Sequence, residues 1–266
     1  MENVLRLKLP PVGEIHSYFI ASDFHSIFVH LASLNILQRH SRVVPNAGLI
    51  ILGDFFDLPF MMKKNPDYQK WIKRPEGFDE FFLPKWEEEV MMCNSILDCL
   101  QRHFKKIIYM GGNHCDLRVD EFKSQIPFEY RPHFDIVRAL RLDERAIQFL
   151  PYGTWLDIGD IALNHGMWHN VNYLKSAHEE CGKSVITGHV HKYKAQAFKK
   201  RGKTCHAWSI PCMSTLSPEY TRRRANDWDN GYGLLHVKDD GSFHFNVFVV
   251  NNGKLVLPNG VEIDGN

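Results

Sequence analysis

The run GLIILGDFFD, Gly48 to Asp57, decides how this chain is read. Residues 48–52 are too few and too rich in β-branched side chains for a helix, so they read as a strand. Gly53-Asp54-Phe55-Phe56-Asp57 follows at once. Two carboxylates therefore stand just past a strand's carboxyl end, where open α/β sheets build their sites. The arrangement recurs four times. Residues 16–22 (HSYFIAS) precede Asp23-Phe24-His25, and residues 106–110 (KIIYM) lead into Gly112-Asn113-His114. Residues 161–163 precede His165-Gly166, and residues 184–187 precede Gly188-His189-Val190-His191.

Around these strands the pattern alternates. Residues 27–40 carry helical apolar spacing, and residues 84–103 begin with proline and acids and end basic, as a helix does. Residues 147–150 read as a further strand. The last third changes: residues 193–200 and 204–210 flank a Lys-Lys-Arg-Gly-Lys turn, and residues 233–237, 242–250 and 254–256 are divided by Asp-Gly and Asn-Gly turns. We expect a C-terminal antiparallel meander over 193–257. The whole suits an α/β (α+β) sandwich of two sheets with helices outside. No Pro/Gly/Ser linker divides it, so 1–266 reads as one domain, with 59–82 an aromatic, lysine-rich insertion or cap.

Composition sets the limits. The 266 residues include 32 Lys+Arg against 31 Asp+Glu, a formal net charge of +1, which excludes a globally basic nucleic-acid coat though not a local basic groove. Six cysteines without a C-x-x-C pair argue against a disulfide framework or a thiolate zinc site. With no signal-peptide or membrane-length apolar run, a soluble cytoplasmic protein is expected, with no membrane partner. Histidine is abundant, at 15, and the five motifs offer carboxylate, imidazole and carboxamide. That donor set suits divalent ions of intermediate hardness such as Mn, Fe or Zn.

The ordered series D-x-H, G-D-x-x-D, G-N-H, H-G and G-H-x-H, spanning residues 23–191, resembles the calcineurin-like metallophosphoesterase superfamily. The resemblance implies a four-layer double β-sandwich of two mixed sheets flanked by helices. It also implies two divalent metal ions, with Mn expected first and Fe, Zn, Co or Ni as alternatives. Asp23, His25, Asp54 and His191 would hold one ion. Asp54, Asn113, His165 and His189 would hold the other, with Asp54 bridging. His114 matches the catalytic histidine that protonates the leaving oxygen after attack by a metal-bridging hydroxide, and Asp57 matches the carboxylate that orients it. The sequence departs from the family at Cys115, where many members carry an acid directly after G-N-H, and at Leu58, where the protein phosphatase branch has arginine. Cys212-Met213-Ser214, Pro218-Glu219-Tyr220-Thr221, Asp227-Trp228 and Gly231-Tyr232 are similar to bacteriophage and prophage members of the superfamily, which suggests a virus-encoded chain.

The resemblance implies a metal-dependent phosphoesterase. Basic residues interleaved with aromatics make a phosphodiesterase or nuclease on DNA, RNA or nucleotides the leading expectation. The alternatives are a phosphomonoesterase on a nucleotide or small metabolite, and a non-catalytic scaffold of the same fold. Candidate substrate contacts are Lys63, Lys64, Tyr68, Lys70, Trp71, Lys73 and Arg74 in the insertion and Arg222, Arg223 and Arg224 near the C-terminus. His169, four residues after His165, could reach the substrate side, with a structural role the leading expectation.

Overall fold

Two six-stranded mixed sheets pack face to face in a computed structural model that describes residues 3–73, 77–200, 202–218 and 226–266. The first sheet runs β12 (Phe243–Val250), β11 (Asn230–Lys238), β2 (Ile15–Ala21), β3 (Gly48–Leu52), β4 (Ile107–Met110), β5 (Gln148–Leu150). Strands β2 to β5 are parallel, and β11 and β12 extend them antiparallel. The second sheet runs β1 (Val4–Arg6), β6 (Trp155–Ile158), β7 (Ile161–Asn164), β8 (Ser184–Thr187), β10 (Lys203–Ser209), β9 (Lys194–Lys200). Strand β8 lies parallel to both β7 and β10.

Period-two alternation assigns the layers. Tyr18, Ile20, Ile50, Leu52, Ile108 and Met110 point inward and meet Leu156, Ile158, Ile161, Leu163 and Ile186 of the second sheet. The alternate residues Phe19, Ala21, Leu49, Ile51, Ile107 and Tyr109 point outward. They are covered by α1 (Leu31–Ser41) and the long α3 (Phe78–Gln101). Beyond the second sheet, α6 (Tyr173–Cys181) covers Trp155, Ala162, Val185 and Ala207. The result is helix, sheet, sheet, helix, as the resemblance implied. Strand β3 is buried along its whole length, which is why its sequence is an unbroken aliphatic run rather than an alternating one.

The structure departs from the expected elements in three places. The C-terminal strands pair antiparallel with their hairpin partners but form no single meander. The β9–β10 hairpin joins the second sheet, β11–β12 joins the first, and β13 (Lys254–Val256) pairs with β14 (Glu262–Asp264) apart from both. Helix α3 starts at Phe78, and Pro84 sits inside it. Residues 59–82 contain α2 (Pro66–Lys73) and the start of α3, and their rings join the outer helical layer: Tyr68, Trp71, Phe78 and Phe82 are all buried in the core. Among the described residues no helix is long and apolar enough to cross a membrane, and all six cysteines are unpaired.

Candidate metal centre

All five motif loops meet at one end of the sandwich. Backbone bonds lock the first two together: Asp23 N donates to Gly53 O (3.1 Å), His25 N to Asp54 O (3.0 Å) and Ser26 N to Phe55 O (2.8 Å). To turn their side chains inward, these loops take unusual backbone angles. Asp23, His25, Ser26, Asp54, Leu58, His189 and His191 all have φ between 37° and 70°. Such left-handed conformations are costly for side-chain-bearing residues and collect where a site over-determines them. The motif glycines are explained by space. A Cβ on Gly53 would lie 2.1 Å from His165 Nδ1, and one on Gly112 would lie 2.2 Å from Asp54 Oδ1.

Three groups of ligand atoms result, two of them built on the expected ligands; the third, His25, Asp57 and His114, shares His25 with the first. Asp23, His25 and His191 bring one atom each within 4.8 Å of one another, and so do Asp54, His165 and His189. In the first set Asp23 Oδ1 lies 3.2 Å from His191 Nε2, and His25 Nε2 lies 3.1 Å from the same atom. In the second, His165 Nε2 is 3.2 Å from Asp54 Oδ2 and 3.1 Å from Asn113 Oδ1. Thus all seven residues expected to hold metal (Asp23, His25, Asp54, Asn113, His165, His189, His191) stand around one centre. Asp54 groups with the second set only, and its Oδ1 accepts the His114 backbone N–H at 2.8 Å.

The donors fit cations. Metal-ligating histidines hold their second ring nitrogen on an acceptor, which fixes the tautomer. His25 Nδ1 donates to Asp57 Oδ1 (2.9 Å) and His165 Nδ1 donates to Leu52 O (2.7 Å), which turns each Nε2 toward the centre, whereas His191 Nδ1 is buried without an acceptor. Asp23 Oδ1 is fully buried with no hydrogen-bond donor on it. An orphaned buried carboxylate oxygen facing two imidazole nitrogens is poorly satisfied by protein alone and well satisfied by a divalent ion.

The carboxylates of both sets are held ionised, and the imidazoles divide. Burial would raise the Asp23 carboxyl, but the imidazoles of His191 and His165 outweigh it and hold it well below the usual carboxylate range. Asp54 behaves likewise, burial being overcome mainly by His165. His165 itself is pushed up to about 9: burial would lower it, and the Asp54 charge prevails. Burial, then the neighbouring His165, pushes His189 down to about 4.

Asp57 is tied to two rings. Its Oδ1 accepts from His25 Nδ1 and from His114 Nδ1 at 3.0 Å, and its backbone carbonyl accepts from the Arg118 guanidinium. His114 is the more open of the two partners, with 28% of its side chain exposed, and its Nε2 is left unassigned. Behind Asp57 lies a residue the sequence reading missed. Glu89 of α3 is buried and accepts from Ser26 Oγ (2.5 Å), Asp57 N (3.1 Å) and Leu58 N (2.8 Å). Burial pushes its carboxyl up to about 7, against those three donors. His169 stands at the same site, its ring nitrogens 3.0 and 3.1 Å from His189 Nε2. Trp228 packs against His191 with ring centres 4.3 Å apart.

The proposed substrate contacts fare differently. Tyr68 is buried against Phe82 and Phe122 and Trp71 against Phe78 and Phe82, so both are core rings and offer no face for a base to stack on. Lys70 is exposed on α2. Lys73 ends α2, its side chain lying outside the described residues, as do Arg74, Arg222, Arg223 and Arg224 entirely. Cys115, at the departure from the family pattern, is fully buried, and burial pushes its thiol up to about 11, so it is an inert space-filler.

Comparison with known proteins is distant. No family model matches the chain, and no curated protein matches it. Among solved structures it is similar to a point mutant of Vps29 from Entamoeba histolytica, at 13% identity over 90% of this chain and 95% of that one, with a TM-score of 0.47. It is also similar to Vacuolar Protein Sorting 29 from Cryptosporidium parvum (13%, 91% and 94%, 0.44). A third likeness is to a phosphopantetheinyl hydrolase from Mycobacterium tuberculosis (12%, 82% and 95%, 0.31). Likenesses this remote carry no argument, and the function rests on the chain's own residues.

Proposed function

We propose that this chain is a two-metal phosphoesterase of the calcineurin-like type, acting as a phosphodiesterase or nuclease on nucleic acid or nucleotides. The observation that carries it is the pairing of two Asp/His ligand sets with an Asp57-tethered His114 at their edge. Asp23, His25 and His191 would hold one ion, and Asp54, Asn113, His165 and His189 the other. Divalent ions held there would supply positive charge for a phosphoryl group and lower the pKa of an attacking water.

The chain's own residues do the rest. Asp57 accepts the His114 Nδ1 proton, so Nε2 is the nitrogen that faces substrate and gives a proton to the departing oxygen. Burial alone would raise the Asp57 carboxyl; the His114 and His25 hydrogen bonds keep it ionised, so it stays an acceptor at any physiological pH. Arg118 on the Asp57 carbonyl and Glu89 on the Asp57 amide fix that residue from both sides. A scaffold without activity has no need of a tethered, half-open histidine.

The test is a substrate panel with added manganese: a generic diester, a generic monoester, single- and double-stranded DNA, RNA and cyclic nucleotides. Hydrolysis of diesters that disappears on exhaustive chelation and returns with manganese is expected. Activity that survives chelation would sink the metal reading, and turnover of monoesters alone would move the assignment to a phosphomonoesterase.

A further inference from the structure

We propose that the open cleft between residues 61–64 and 113–121 binds a second phosphate of the substrate, one linkage away from the bond that is cut. The inference rests on the phosphodiesterase reading above and adds the subsite that would make it selective. The cleft has a volume of about 370 Å³ and is lined by Met61, Met62, Lys63, Lys64, Asn113, Leu117, Arg118 and Glu121. Its inner wall is the catalytic neighbourhood itself. Asn113 belongs to the second ligand set, and Arg118 holds the Asp57 carbonyl. A substrate whose reacting phosphate sits at the metal set must run past this wall.

Charge in the cleft is uncompensated. Lys63 and Lys64 are exposed and make no ion pair among the described residues, and neither does Arg118. Against these three cations the lining contains one acid, Glu121, so the cleft carries an excess of two positive charges. The turn that presents the lysines is built rather than loose. Met61 N donates to Leu58 O (3.1 Å) and Asn65 N donates to Met62 O (2.8 Å). Asn65 Nδ2 donates to Pro59 O (3.2 Å), and Gln69 Nε2 reaches Lys63 O. The lining also includes the apolar side chains of Met62 and Leu117, the latter 40% exposed. Ammonium groups with apolar side chains in one cleft match a phosphate beside a sugar or base, and methionine adapts its shape to a flat ligand.

The experiment compares the dinucleotide TpT with its doubly end-phosphorylated form pTpTp, with manganese present, following cleavage of the internal linkage by chromatography. End-phosphorylation should raise kcat/KM about tenfold, through KM, which is about 1.4 kcal/mol and within what two partly exposed charge pairs supply. In the Lys63→Gln/Lys64→Gln double variant the ratio between the two substrates should fall toward one. Both lysines are exposed, so folding is not at risk. A ratio near one in the wild type, or a ratio unchanged in the double variant, overturns the subsite. A series of longer oligothymidylates separates the sources of the phosphate: a KM that keeps falling with length assigns a strand, and one that is flat beyond pTpTp assigns a small nucleotide. If neither dinucleotide is cleaved while a generic monoester is, the phosphodiesterase reading fails and the subsite fails with it.

Discussion

Asp57 Oδ1 accepts two imidazole N–H groups at once, from His25 and from His114, and the two partners have different fates. His25 stands with Asp23 and His191, whereas His114 joins only the His25–Asp57 group at the edge, where Asp57 takes up its Nδ1. Their substitutions should therefore separate. His114→Ala should keep two equivalents of bound metal and lose about 10²- to 10⁴-fold in kcat, the range for a general acid. Asp57→Asn should slow turnover and also weaken metal binding by about 10- to 100-fold, as outer-shell partners of metal ligands do. Elemental analysis and calorimetric titration read the difference; His114→Ala protein that has lost metal would show that its role is misassigned. At this scale the clustering of the candidate ligand residues was legible because each follows a strand in a short motif. Trp71 was not, because a tryptophan among lysines looks the same in sequence whether its ring faces a ligand or the Phe78–Phe82 cluster.

Helix α3 shows what a motif search passes over. Glu87-Glu88-Glu89 enters the sequence reading only as acids near a helix start, yet Phe82, Trp86, Glu89 and Cys93 share the buried stripe of the helix, and the spacing of that stripe was the available signal. Glu89 faces inward and fastens the loops of β2 and β3 to the helix through Ser26, Asp57 and Leu58. Its carboxyl is raised from 4.5 to about 7 in the fold. Below pH 4.5 both folded and unfolded chains hold the proton. As pH rises through the window from 4.5 to 7 the unfolded chain releases it first, so this residue's stabilisation is progressively lost. Denaturant unfolding of the metal-free protein should show wild type losing on the order of 3 kcal/mol relative to Glu89→Gln across that window. Parallel pH profiles would show that Glu89 titrates normally. The start of α3 was misread for a related reason: proline is commonest in the first turn, but Pro84 lies beyond it, and the aromatic residues ahead of it bury well enough to extend the helix back to Phe78.

Across the whole molecule, the sandwich was legible because its central strands are short aliphatic runs with chemistry at one end. The parts that were not legible depend on contacts distant in sequence. Strand β1 exists through parallel pairing with β6, some 150 residues on. The C-terminal hairpins look alike in sequence, and only their packing partners send one to each sheet. That division into two sheets bears on the site. Asp23, His25, Asp54 and Asn113 follow strands of the first sheet, whereas His165, His189 and His191 follow strands of the second. Each ligand set therefore takes atoms from both sheets. An ion in either cage acts as a rivet through two plates, and the first rivet aligns the holes for the second. The two ions should load with positive cooperativity, visible as a sigmoidal calorimetric isotherm, and chelation should release them together; two independent, well-separated binding steps would show that the plates are already rigid without them.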